Sequence, residues 1–243
     1  MSRITHAIKA AIRRTANQLG YDFVQYDDHN VRWRTNNFLE RCGISVVLDV
    51  GANEGNFARE LRELGFSGQI VSFEPLAEVY KRLAAAASHD ANWTAINVGL
   101  GDREEERSIH ISANSLSSSF LAMESAHIEA DPDSAYTGEN RAAIRRLDDL
   151  FGQLCPAGAN AFLKIDTQGY EKKVMEGARA SLDRIPLIQL ECSLVPLYQG
   201  AELIEDLLSY MRGLGYDPVD QRPAFIHHGS HHLMQVDVLF LRR

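Results

Sequence analysis

Cysteine is scarce and scattered in this sequence. Cys42, Cys155 and Cys192 are odd in number and form no C-x-x-C pair. That spacing argues against a disulfide framework and supplies no zinc motif; it suits a reducing compartment, so the expected location is cytoplasmic. Long hydrophobic runs are also missing: no stretch approaches the roughly 18 apolar residues that span a bilayer. Basic charge is in deficit, with 25 Lys and Arg against 33 Asp and Glu and a formal net charge of −8. Phosphate binding needs a basic stripe, so a nucleic-acid partner is not expected.

The chain does have enough material for a core: 243 residues, of which 45% are apolar and 24% charged. This fits one α/β domain with additions. The segment Met1–Gly20 places Ile4, Ile8, Ile12 and Leu19 at helical spacing among Lys9, Arg13 and Arg14. It predicts an amphipathic helix. Without a continuous apolar stretch and a small-residue cleavage site, it does not read as a secretory signal. The first expectation is a helix packed on the domain; a helix lying on a membrane surface is the alternative. The predicted organisation is a helical extension over 1–43 and one domain over 44–243, compatible with a homodimer.

Short apolar runs then alternate with helical stretches. Strands are predicted at 45–50, 69–73, 93–98, 161–165, 187–190 and 236–241, and helices at 57–64, 76–87, 170–182 and 202–214. Such alternation implies a mostly parallel sheet with helices on both faces. Ligands of such sheets bind beyond the carboxyl ends of the strands. Four predicted strands end at or beside Asp49–Gly51, Glu74, Asp166 and Glu191, which places these groups along one rim. Ser108–Ser112 alternates like an extra strand. Residues 112–140, rich in Ser, Ala and acids, read as a loop or lid with some helix.

The loop Asp49-Val50-Gly51-Ala52-Asn53-Glu54-Gly55 follows a strand and opens a helix. Glycines there let backbone turn tightly and approach a ligand. A dinucleotide fingerprint needs G-x-G-x-x-G, and Asn53 stands where its second glycine would be. The spacing suits a ligand with a cationic amino-acid end better than a pyrophosphate. Glu74, ending the second strand, can accept both hydroxyls of a ribose. In Val98-Gly99-Leu100-Gly101-Asp102, Gly101 could let backbone meet an adenine face while Asp102 accepts from its amino group. Asp166 ends the fourth strand, facing the cleft, and Glu171 falls in the following first helical turn, where the dipole favours a carboxylate.

The segments VLDVGANEGNF (47–57), FEP (73–75), VGLGD (98–102), SSSF (117–120), LKIDTQGYE (163–171), EGA (176–178), QLECSLVPLYQG (189–200) and QVDVLF (235–240), in this order, make the chain resemble the FkbM family of S-adenosylmethionine-dependent methyltransferases. The resemblance covers most of 44–241. It implies a Rossmann-like methyltransferase fold, α/β, with a seven-stranded sheet whose last strand is antiparallel. It also implies O-methylation of a sugar or polyketide hydroxyl, with S-adenosylmethionine as donor. The expected donor-binding residues are Asp49, Gly51, Asn53, Gly55, Asn56, Glu74, Gly101, Asp102 and Asp166.

A sugar hydroxyl has a high pKa, so a general base should help, and Asp166 and Glu191 are the candidates. Ser117 and Ser118, Glu171, Tyr198 and His228 are candidate contacts for a small-molecule or glycan acceptor. The acids show no clear metal-ligand spacing, and no metal is expected. The four histidines in His227–His232 predict an exposed hairpin loop before the last strand, near the rim. An NAD-dependent oxidoreductase or nucleotide-sugar enzyme, and a non-catalytic binding member of the fold, are the competing readings.

Overall fold

The computed structural model describes residues 3–21 and 30–243. Compactness divides the chain between Asn37 and Phe38. The first unit contains α1 (Arg3–Gln18) and the start of α2 (Val31–Arg41). The division falls earlier than 43/44 because Leu39 of α2 is buried in the second unit's core beside Val47 and Phe162.

The second unit continues with β1 (Ile44–Val50), α3 (Asn56–Glu63), β2 (Gln69–Phe73), α4 (Ala77–Ala87), β3 (Trp93–Ile96), β4 (Gly99–Leu100), β5 (Glu105–Ser112), α5 (Ser125–Ala130), β6 (Tyr136–Arg145), α6 (Leu147–Leu154), β7 (Asn160–Ile165), α7 (Glu171–Glu176), β8 (Leu187–Ser193), α8 (Ile204–Gly213), β9 (Tyr216–Ile226) and β10 (Leu233–Arg242). Seven of these strands form one sheet in the order β3-β2-β1-β7-β8-β10-β9. The pairs β1/β2, β2/β3, β1/β7 and β7/β8 are parallel. The last strand, β10, is antiparallel to both β8 and β9. The expected seven-stranded, mostly parallel sheet is therefore present.

The core follows from the sequence of β1. Val46, Leu48 and Val50 join one apolar cluster, with Val174 and Met175 of α7 and Leu207 of α8. Val47 joins the other, with Ala58 and Leu61 of α3 and Leu83 of α4. A strand buried on both faces reads as an unbroken apolar run. Each such Val or Leu contributes about 1.5–3 kcal/mol by its burial. Asp49 is the exception in this run, with no exposed surface.

The chain runs outward from β1 through β2 to β3, then returns to β7 on the other side of β1. The strand order thus reverses between β1 and β7, and a crevice opens beyond their carboxyl ends.

Several elements differ from the sequence reading. β3 stops at Ile96, where Val98 N–H donates back to the Ile96 carbonyl. β4, β6 and β5 form a second sheet. The irregular stretch expected through residue 140 therefore ends at Tyr136. Exposed, polar Thr137–Arg141 hid β6, because no apolar alternation marks it. β9 carries Pro218 and Pro223 and occupies the sheet edge, the position proline tolerates. α7 is shorter than predicted, ending at Glu176, and Gly177 then packs against the Gly101 carbonyl. β8 runs on to Ser193, so Glu191 lies inside the strand, paired with Asp237, instead of ending it.

Candidate functional site

The loop after β1 is built from left-handed backbone at Gly51 (φ 72°), Asn53 (φ 47°) and Gly55 (φ 84°). At Gly51 a side chain has no room, since a Cβ would stand 1.8 Å from the Asp166 carbonyl oxygen. The β1 and β7 loops therefore touch, and both border one crevice. Gly55 serves packing: its Cβ would lie 2.5 Å from Trp93 Cζ2. Asn53 Oδ1 accepts from Glu54 N–H at 2.8 Å, which helps an asparagine hold the left-handed turn.

Glu74 sits one residue beyond β2 and is buried. Its Oε2 accepts from Asn53 N–H at 3.0 Å and its Oε1 from Leu76 N–H at 2.8 Å. Burial pushes its carboxyl up to about 7, against those two bonds. Each oxygen keeps a further lone pair for a ligand hydroxyl.

Between these loops lies a cavity of about 620 Å³, counting its open mouth. Gly51, Asn53 and Glu74 line one side; Asp166, Thr167 and Gln168 line another. Leu76, Val98, Leu100, Ile109 and Phe120 supply an apolar wall. Ser115, Leu116, Ser118 and Ser119 come from the segment after β5. That segment is latched down. Asn53 Nδ2 donates to the Ser115 carbonyl at 3.3 Å, and Ser119 Oγ donates to the Gln168 carbonyl at 2.7 Å.

Asp166 is the carboxylate at the β7 end of the cavity. Lys164 Nζ lies 3.2 Å from its Oδ2 and 3.3 Å from Asp49 Oδ1, and donates to the Gly51 carbonyl at 3.2 Å. Asp49 also accepts from Ser72 Oγ at 3.1 Å. Asp49 therefore anchors Lys164 from inside the core and does not border the cavity.

Gln168 joins the remaining groups. Its Nε2 donates to Asp166 Oδ1 at 2.9 Å and to Glu191 Oε2 at 2.7 Å. Its Oε1 accepts from Tyr198 OH at 2.6 Å. Its backbone is left-handed, φ 55°. No role was predicted for Gln168. Glu191, expected as a second base, lies behind it and off the cavity wall. It also accepts from Gln235 Nε2 at 2.9 Å. Burial, then the charges of Asp166, Asp237 and Glu171, hold its carboxyl well above the usual range.

Of the residues expected to touch ligands, the structure brings Gly51, Asn53, Glu74, Ser118 and Asp166 to the cavity wall. It places the others elsewhere. Asp102 is turned to Lys173, whose Nζ is 3.1 Å from its Oδ2, and Gly101 packs against Tyr170 and Ile144. Asn56 accepts from Arg59 Nη2 at 2.7 Å on the surface. Ser117 N–H donates to Asn114 Oδ1. Tyr198 is buried, donating to Gln168 and to the Ser117 carbonyl. Its ring meets His127 edge-on. His228 is exposed in the β9–β10 hairpin, and its N–H donates to the Ala130 carbonyl. Among the described residues no cluster of three or more His, Cys, Asp or Glu could hold a metal.

Glu171 is buried at the start of α7. Its Oε1 accepts from Thr167 N–H at 2.9 Å and Gly169 N–H at 3.2 Å, and so shapes the loop carrying Asp166. Burial raises its carboxyl to about 7. A carboxyl whose pKa is higher folded than unfolded favours the fold below its unfolded value near 4.5. That contribution is lost as pH rises through 7. Between pH 5 and 8, the stability of wild type is therefore expected to fall relative to Glu171→Gln by roughly 1–3 kcal/mol. Urea denaturation of both proteins at the two pH values checks this; a difference independent of pH would refute it.

Residues 49–218 match the family described as the Methyltransferase FkbM domain. The chain belongs to this family. It is 27% identical over 164 residues to the "2-O-methyltransferase NoeI" of Sinorhizobium fredii, covering 64% of this chain and 66% of that one. It is 30% identical over 176 residues to the "AMB antimetabolite synthetase AmbE" of Pseudomonas aeruginosa, covering 60% of this chain and 8% of that one. The chain thus spans slightly less than two thirds of NoeI and a small part of AmbE. Among solved structures, a fibrillarin/Nop5p complex aligns with a TM-score of 0.48 at 13% identity, over 88% of this chain and 83% of that one.

Proposed function

We propose that this FkbM-family chain transfers a methyl group from S-adenosylmethionine to a hydroxyl of a sugar, on a glycan, glycolipid or glycosylated natural product. Family membership supports methyl transfer from this donor, and the name of NoeI supports an O-methyl product. One observation carries the reading: Glu74 offers a carboxylate to a cavity whose floor, at Gly51, has no space for a side chain.

The residues present fit the donor. Glu74 accepts from the two ribose hydroxyls. Leu76, Val98, Leu100 and Phe120 cover the adenine ring, in place of the contact anticipated from Asp102. Gly51 and Asn53 leave room for the amino-acid end. When bound, the donor supplies an electrophilic methyl on a sulfonium.

The chain's own part is orientation and proton handling. Asp166 accepts the proton of the acceptor hydroxyl. Lys164 and Gln168 fix the plane of its carboxylate, and such positioning supplies much of a displacement's rate. Ser118 hydrogen-bonds the acceptor. The proposed place of action is the cytoplasm; no helix among the described residues is long and apolar enough to cross a membrane.

The test is to incubate the purified chain with donor and a panel of free sugars, nucleotide sugars and glycolipids. Products are read by mass and by the position of the new ether. Gain of one methyl on a sugar oxygen is the expected result. Transfer only to nitrogen, carbon or carboxylate across the panel would overturn the assignment to a hydroxyl.

A further inference from the structure

We infer that α1 is a docking surface for an anionic lipid bilayer. Residues 1–21 contain Arg3, Lys9, Arg13 and Arg14 and no Asp or Glu, in a chain whose formal net charge is −8. With no acid to offset its cations, this segment is net positive, and the rest of the chain is more acidic than the whole.

The helix formed there, Arg3–Gln18, is mostly polar but keeps its apolar positions well apart from its polar ones. The four-residue spacing of Ile4, Ile8 and Ile12 sets those backbone positions on one stripe. Ile12 is 53% exposed, and Leu19 and Tyr21, just past the helix, are each 71% exposed. Exposed Ile12 on a helix whose charged residues are all basic, with exposed Leu19 and Tyr21 just beyond it, suits one environment above others. A helix of this type lies in the membrane interface, apolar stripe among the acyl chains and cations at the headgroups. Anionic lipid complements this charge, each Lys or Arg near such a surface adding to the attraction. At sixteen residues the helix is too short and too charged to span the bilayer. The occupant is thus a lipid surface and not a membrane interior.

The inference concerns the first unit alone and does not depend on the proposed reaction. The test is co-sedimentation of the full chain with vesicles of phosphatidylcholine alone, or of phosphatidylcholine with phosphatidylglycerol. Binding is expected only to the anionic vesicles and is expected to weaken sharply between about 0.1 M and 1 M salt, where the screening length shrinks from ~10 Å to ~3 Å. Replacing Arg13 and Arg14 together by Ala should weaken it about 10–30-fold. Ile12→Asp should abolish it, with the thermal midpoint unchanged. Equal sedimentation with neutral vesicles, no sedimentation with either, or undiminished binding by Ile12→Asp would overturn the inference. So would an Ile12→Asp protein that loses self-association while keeping its vesicle binding, because the stripe would then meet a second copy of the chain.

Discussion

Asp166→Asn is expected to lower turnover by about 10²–10⁴-fold, the usual contribution of a positioned general base. The amide keeps the shape of the carboxylate but cannot take the acceptor's proton. It also cannot serve both neighbours as before: Lys164 and the Gln168 amide group each approach one carboxylate oxygen at 3.2 and 2.9 Å. One of them must then face an NH₂ group. Donor affinity separates the two roles open to Asp166. A base leaves it close to that of wild type, whereas a residue that only holds the donor's amino group weakens it in step with turnover. Single-turnover kinetics beside equilibrium binding of the demethylated donor would measure both. Full turnover by Asp166→Asn with unchanged binding would remove Asp166 from the chemistry.

The second large effect is expected at Glu74. Its two oxygens are each held by one backbone N–H, from Asn53 and Leu76. Glu74→Gln puts an NH₂ against one of these donors and removes the charge that ribose hydroxyls would meet. Hydrogen bonds to a charged group contribute about 1.5–3 kcal/mol each, so losing the one at the new NH₂ weakens donor binding by about 10- to 10²-fold. The β1 loop shifts too, because Asn53 is tied to this carboxylate. Calorimetric titration with the demethylated donor reads the change. Wild-type affinity in Glu74→Gln would mean that the ribose sits elsewhere.

These two residues also mark how far the sequence was legible. Glu74 and Asp166 stand after apolar runs that can only be buried strands, so their place on the carboxyl rim follows from local pattern. Gly51 was legible for a related reason: a tight strand-to-helix turn demands it. The reversal of strand order was not legible, because it is set by the pairing of β1 with β2 on one side and with distant β7 on the other. What escaped was set by partners distant in the chain. Asp102 looks like a ligand contact until Lys173 is brought against it. Glu191 looks like the end of a strand until β10 pairs alongside and carries β8 on to Ser193. Gln168 lies within the LKIDTQGYE segment, but nothing in that pattern gives its side chain a role. Its importance comes from Asp166, Glu191 and Tyr198 converging on one amide. Of the second sheet, only the part of β5 at Ser108–Ser112 was legible, and the rest was hidden for another reason. β6 is exposed over its first half and is held by backbone bonds to β5 that no hydrophobic pattern records.

The central claim is that the cavity between the β1 and β7 loops holds S-adenosylmethionine. Isothermal titration of the wild-type chain with S-adenosylmethionine, its demethylated product and NAD addresses it directly. The account predicts saturable one-site binding of the first two, no heat from NAD, and loss of the signal in Glu74→Gln. Binding of NAD with none of the methyl donor or its product would contradict it.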